Sequence, residues 1–135
     1  MKILVIDDTL ADRLIIRSHL LSMEHEVLLA ENGEQGLTLF SQKNPDLVLL
    51  DVRMPNMDGY DVVKKMREVD TEWRPILFLS STIDVESFAK GIYSGGDDYL
   101  HKPVERIALK AKLHAMARIV KMRQQLLDVT QALSE

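Results

Sequence analysis

Asp46-Leu47-Val48-Leu49-Leu50-Asp51-Val52-Arg53-Met54-Pro55-Asn56-Met57-Asp58-Gly59 decides how this chain folds. Leu47 to Leu50 is apolar at every position and then stops at an acid. A strand covered on one face alternates apolar with polar; one covered on both faces reads as a continuous apolar run. The stretch therefore reads as an interior strand of a parallel sheet with Asp51 at its carboxyl end. Beyond it, Asp58 is placed to cap a helix running to about Val69, with Val62, Val63 and Met66 turned inward.

Other short apolar runs flank this one at Ile3 to Ile6, Glu26 to Ala30, Ile76 to Leu79, and Tyr99-Leu100 with its neighbours. Helix-like segments lie between them. Leu10 to Ser22 puts Leu10, Leu14, Arg17 and Leu21 on one side, with Ile15, Ile16 and Leu20 widening the stripe. Glu34 to Ser41 follows the Asn32-Gly33 turn signal. Asp84 begins a segment that Gly95-Gly96 ends, and a long helix follows Pro103. Strands alternating with helices make a doubly wound α/β domain with five parallel strands. Ligands of such sheets bind beyond the carboxyl ends of the strands.

The bulk properties exclude several classes. The chain has 135 residues, enough for one domain with its own core, and no cysteine, so disulfides and thiolate metal sites are out. That suits a reducing, cytoplasmic setting. No apolar run approaches the ~20 residues that a membrane helix needs, and the apolar start of the chain is too short for a signal peptide. The net charge of −4 argues against binding nucleic acid through a basic surface.

Four polar features fall at the carboxyl ends of the expected strands: Asp7-Asp8 after the first, Asp51 after the third, Ser80 after the fourth and Lys102 after the fifth. Singly, each has a bland reading as a turn former, cap, loop start or surface group. Together they converge on one sheet edge. Bare carboxylates there repel one another. A divalent cation reconciles them, and Mg²⁺ prefers carboxylate and water oxygens. A nearby lysine and hydroxyl complete the parts of a phosphoryl-transfer site. No phosphate-cradling glycine loop of the nucleotide-binding kinds is present, so the phosphoryl group comes from elsewhere. His19, His25, His101 and His114 have no metal-ligand spacing and read as surface or helix residues.

These residues resemble the receiver domain of bacterial two-component response regulators, the CheY-like family. The resemblance rests on Ile3-Leu4-Val5-Ile6-Asp7-Asp8, Asp46 to Gly59, Pro75-Ile76-Leu77-Phe78-Leu79-Ser80 and Gly95-Gly96-Asp97-Asp98-Tyr99-Leu100-His101-Lys102-Pro103. It implies a flavodoxin-like sheet of order 2-1-3-4-5. It implies that Asp51 takes a phosphoryl group from a phosphohistidine of a sensor histidine kinase or phosphotransfer protein. Asp8, Asp51 and the backbone carbonyl of Arg53 would bind Mg²⁺, with Asp7 acting through water. Lys102 would pair with phosphoryl oxygens, Ser80 would move to the phosphate, and Tyr99 would rotate into the space it leaves. The Lys102-Pro103 peptide would be cis. Such a domain catalyses its own phosphorylation and dephosphorylation and turns over no separate substrate.

Two rivals are weaker. An aspartyl-phosphate phosphatase needs a second Asp two residues after the nucleophile, where this chain has Arg53. A pseudo-receiver, an interaction module only, typically lacks an acid or the lysine, and all are kept here. Arg53 and Thr82 occupy positions that vary in the family and tune phosphoryl lifetime, so Arg53 is expected over the phosphoryl group.

Residues 1–118 are expected to form the receiver and 119–135 a C-terminal helical extension. Ala115, Ile119, Met122, Leu126, Val129 and Leu133 recur at intervals of 4, 3, 4, 3 and 4, the seam of a coiled coil. The Leu109 to Ile119 segment resembles the junction before an output enzyme such as a diguanylate cyclase. A homodimer, through this helix or the face around strands four and five, is expected, with an output domain beyond Glu135.

Overall fold

The structure is a computed structural model that describes residues 1–134. Five strands, β1 (Lys2–Ile6), β2 (Glu26–Ala30), β3 (Leu47–Asp51), β4 (Ile76–Ser80) and β5 (Asp98–His101), alternate with five helices. The helices are α1 (Leu10–Ser22), α2 (Gly33–Lys43), α3 (Gly59–Val69), α4 (Val85–Ser94) and α5 (Arg106–Ser134). All strand pairs are parallel, and the sheet order is β2-β1-β3-β4-β5, as expected. Asp51 and Ser80, expected at the ends of the third and fourth strands, are the last residues of β3 and β4.

Successive strand side chains point to opposite faces, and the core divides accordingly. Ile3, Val5, Leu47, Leu49, Leu77 and Leu79 pack with Ile16 and Leu20 of α1 and Leu109, Leu113 and Met116 of α5. Leu4, Ile6, Val48, Leu50 and Phe78 pack on the other face with Phe40 of α2 and Val62, Val63 and Met66 of α3. The inward face foreseen for α3 is therefore correct. That of α1 is not. Leu10, Leu14 and Leu21 are exposed, and Ile16 and Leu20, spaced by four, face the core. Apolar residues run most of the way round α1, so periodicity alone did not choose between its two stripes.

Capping sets the helix starts. Asn32, Asp58 and Asp84 accept from the backbone N–H of Gln35, Asp61 and Ser87. Gly95, at φ 125°, ends α4 in a conformation that side chains disfavour. At the opposite edge of the sheet from the acids, Asp97 accepts from Arg67, the Trp73 indole and the backbone N–H of Ile76, which fixes where β4 begins.

α5 changes character along its length. Leu109, Leu113 and Met116 are buried, whereas Ile119, Met122, Leu126, Val129 and Leu133 are all exposed. The expected extension continues as helix to Ser134, and Glu135 lies outside the described residues. No described helix is long and apolar enough to cross a membrane.

Candidate functional site

The parallel register brings the acids together. Ile6 pairs with Leu50 and Asp51 with Leu79, so the segments following β1 and β3 leave the sheet side by side. Asp7, Asp8 and Asp51 each offer a carboxylate oxygen, all within 4.8 Å of one another. Asp7 and Asp51 are buried and Asp8 is exposed. Asp7 Oδ1 accepts from the Thr9 N–H at 2.9 Å, while the buried Oδ2 has the Lys102 ammonium 2.7 Å away. Hard, clustered oxygens of this kind suit a hard divalent cation.

The β3–α3 loop is folded back tightly on the site. The Gly59 N–H donates to the Val52 carbonyl at 2.9 Å, and a Cβ on Gly59 would strike the backbone of Asp51 and Val52. Gly59 is thus needed for close approach, not for an unusual dihedral. The Arg53 N–H points to Asp51 Oδ1 at 3.3 Å, and its side chain is exposed over the cleft.

Lys102 enters from the end of β5, and the Lys102-Pro103 peptide is cis. Its Nζ lies 2.7 Å from Asp7, 3.2 Å from Asp51 and 3.2 Å from Asp12. Asp12, in the first turn of α1, is the site residue that sequence reasoning missed. The cleft around this cluster has a volume of about 520 Å³ and is also lined by Ser80, Ser81 and Thr9.

The electrostatics follow from burial and crowding. Burial, then the hydrogen bond with Asp8 and the charge of Asp7, push the Asp51 carboxyl up to about 7, although Lys102 opposes them. Burial on its own would lower the Lys102 ammonium, but the contact with Asp7 and the charges of Asp51 and Asp7 hold it above the ordinary lysine range.

Ser80 lines this cleft with its hydroxyl turned away from the acids, and Tyr99 is not among the lining residues. The Ser80 hydroxyl donates to the Thr82 carbonyl at 2.7 Å and accepts from the Thr82 N–H at 3.2 Å, so it is turned into its own loop. Tyr99 is buried, and its hydroxyl donates to the Ser87 carbonyl. Burial first, then contact with Tyr60, push this phenol above the usual tyrosine range. The histidines stay away from the acids: His19 meets the Val104 carbonyl, and half-buried His25 meets the N-terminal ammonium.

The family model described as the response regulator receiver domain matches residues 3–114. This chain belongs to the response regulator receiver family. As a receiver domain it is a part of two-component signalling. The probable transcriptional regulator ycf27 of Cyanophora paradoxa is 38% identical over 117 residues, 87% of this chain and 48% of its own length. The transcriptional regulatory protein AfsQ1 of Streptomyces coelicolor is 37% identical over 116 residues, 86% of this chain and 51% of its own. The receiver thus spans about half the length of these curated relatives. Among solved structures, a two-component response regulator from Clostridium difficile superposes with a TM-score of 0.82 at 31% identity, covering 87% of this chain and 96% of that one.

Proposed function

We propose that this receiver domain is a phosphorylation switch that accepts a phosphoryl group from a histidine kinase phosphohistidine onto Asp51. One observation carries the reading: Asp7, Asp8 and Asp51 share a single cluster whose buried edge is held by Lys102. A carboxylate oxygen of Asp51 attacks phosphorus and forms the new O–P bond. The N–P bond of the donor breaks, and its imidazole leaves with the electron pair. Asp8, Asp51 and the Arg53 carbonyl would hold Mg²⁺, with Asp7 acting through a water; the ion would supply the positive charge that gathers the phosphoryl oxygens. Lys102, kept protonated by its acidic neighbours, transfers one of its contacts from a carboxylate to the phosphoryl group. Ser80 leaves the Thr82 carbonyl and donates to another phosphoryl oxygen. The chain changes its own state and turns over no separate substrate.

The reading extends to partners. Leu10, Leu14 and Leu21 make an exposed apolar line on α1, whose first turn borders the acids; this is the surface we assign to the kinase or phosphotransfer protein. The exposed α5 stripe from Ile119 to Leu133 is assigned to a second copy, with the α4–β5–α5 face, where Val85, Tyr93 and Ile107 are exposed, as the other dimer surface. Residues 1–118 would then be the receiver and 119–135 a coiled-coil linker to an output segment beyond Glu135, in a cytoplasmic protein. The regulators that this chain resembles are about twice its length, which supports an output segment. No direct contact of these residues with nucleic acid or membrane is proposed.

The test is incubation with Mg²⁺ and acetyl phosphate or phosphoramidate, read by intact mass. One phosphate adduct that disappears in Asp51→Ala and on chelation is expected. No adduct in the wild type, or one that persists in Asp51→Ala, overturns the reading.

A further inference from the structure

An aromatic cluster lies beneath α4. The ring of Phe78 in β4 is 5.4 Å from that of Tyr60 and 5.1 Å from that of Tyr99, and Phe88 lies 5.6 Å from Tyr99. The Tyr99 hydroxyl donates its proton to the Ser87 carbonyl at 2.5 Å. The Tyr60 hydroxyl, 3.4 Å from the Tyr99 oxygen, is therefore the donor of the contact between them. The Lys90 ammonium lies over the Tyr60 ring, 4.6 Å from its centroid. Ser87 and Lys90 both belong to α4, so Tyr60 and Tyr99 each grip that helix, one from α3 and one from β5. Gly91 makes the arrangement sterically possible: a Cβ there would collide with the Tyr99 hydroxyl and the Phe78 ring.

Tyr99 takes this inward position while Ser80 is still bonded to Thr82 within its own loop. Its inward setting therefore does not require Ser80 to vacate anything. The contacts that fix it, Tyr60, Ser87 and the space over Gly91, do not include Ser80, although Tyr60, Ser87 and Ser80 line one cleft with Asp8.

We infer that Tyr60 is a positioning residue that holds Tyr99 inward before any phosphoryl group arrives, so that phosphorylation acts on Ser80 and its loop instead of on Tyr99. The role of the phosphoryl group rests on the receiver reading above. The hold of Tyr60 on Tyr99 belongs to the unmodified chain.

The experiment is NMR of the full chain with ¹³C-labelled tyrosine rings, comparing wild type with Tyr60→Phe, which loses only a hydroxyl. Exposed Tyr93 serves as the solvent reference. Gly91→Ala, whose methyl group takes the place of the Tyr99 hydroxyl, marks the outward signal. In unmodified wild type a single buried Tyr99 signal is expected. In unmodified Tyr60→Phe an outward population should rise about threefold, the effect of one long hydrogen bond. After acetyl phosphate and Mg²⁺, with the adduct verified by mass, the wild-type Tyr99 signal should stay in place. Identical Tyr99 signals in the two unmodified proteins overturn the inference, and so does a wild-type signal that crosses to a new position on phosphorylation. Failure to form an adduct overturns the receiver reading, and the unmodified comparison still decides the role of Tyr60.

Discussion

Lys102 Nζ lies 3.2 Å from the carboxylate of Asp12, a residue ninety positions earlier in the chain. Asp12 is a competitor. Each bond that Lys102 keeps to Asp12 must loosen before the ammonium can serve a phosphoryl group, and a fourth acid near the cleft repels an incoming phosphodianion. We expect Asp12→Asn to raise the rate of adduct formation from acetyl phosphate roughly two- to tenfold, the range of one charge-assisted hydrogen bond partly exposed to water. The gain should shrink at high salt. An unchanged rate at low salt would remove Asp12 from the mechanism.

Asp51 makes stability depend on pH in metal-free buffer. Its carboxyl titrates near 7 in the fold, against about 4 in an unfolded chain. The folded protein therefore holds this proton more tightly than the unfolded one. That contribution is whole below pH 4, declines as pH rises and is gone above pH 7. Urea unfolding in EDTA should show the wild type losing stability between about pH 4 and pH 7. Asp51→Asn should flatten this slope and be more stable at pH 8 by about 1 to 3 kcal/mol. Parallel profiles for the two proteins would mean that the acidic cluster relaxes on its own.

Arg53 is exposed at the rim of the cleft while its backbone N–H reaches Asp51. A guanidinium over the phosphoryl group would restrict the approach of water. The decay of phospho-Asp51 should be faster in Arg53→Asn, by roughly threefold or more, the effect of one exposed charge-assisted contact. An unchanged decay rate would leave Arg53 as a solvated side chain.

Asp97 serves the fold and not the chemistry. Its two oxygens accept from Arg67, Trp73 and Ile76. Asp97→Ala strips three donors of their acceptor at the start of β4. A loss of about 2 to 4 kcal/mol in chemical denaturation is expected. The small-donor phosphorylation rate of the folded fraction should not change.

The stripe on α5 is testable by truncation. A chain ending at residue 118 keeps Leu109, Leu113 and Met116, which are the buried part of the helix. It should sediment as a monomer, whereas the longer chain associates as concentration rises, because about three heptads are marginal alone. A full-length chain that stays monomeric at high concentration, with and without a phosphate mimic, would reject the dimer.

Much of this molecule is legible in its amino acids because parallel strands advertise themselves. Leu47 to Leu50 and Ile76 to Leu79 are continuous apolar runs, and the acid or hydroxyl that ends each one marks the chemical edge. What escaped reading is tertiary. Asp12 looks like an ordinary first-turn acid, and only the fold brings Lys102 to it. The core side of α1 is not legible in its pattern because leucines occupy both sides of that helix, and burial chose Ile16 and Leu20. Tyr60 carried no signal at all, since its meaning depends on β5 lying behind it. Ser80 was read correctly as a strand-end hydroxyl, but nothing local announces that it turns to Thr82.

The unsupported length of α5 acts as a lever. From Gln124, the last α5 residue that lines a cleft against the body of the domain, ten positions lead to Ser134. At 1.5 Å per residue they form an arm of about 15 Å. A tilt of about 8° where the helix leaves the domain body would sweep the tip through about 2 Å, by the same helical rise. A displacement too small to alter the core around Leu109 would thus become, at the far end, enough to bring two arms into register or out of it.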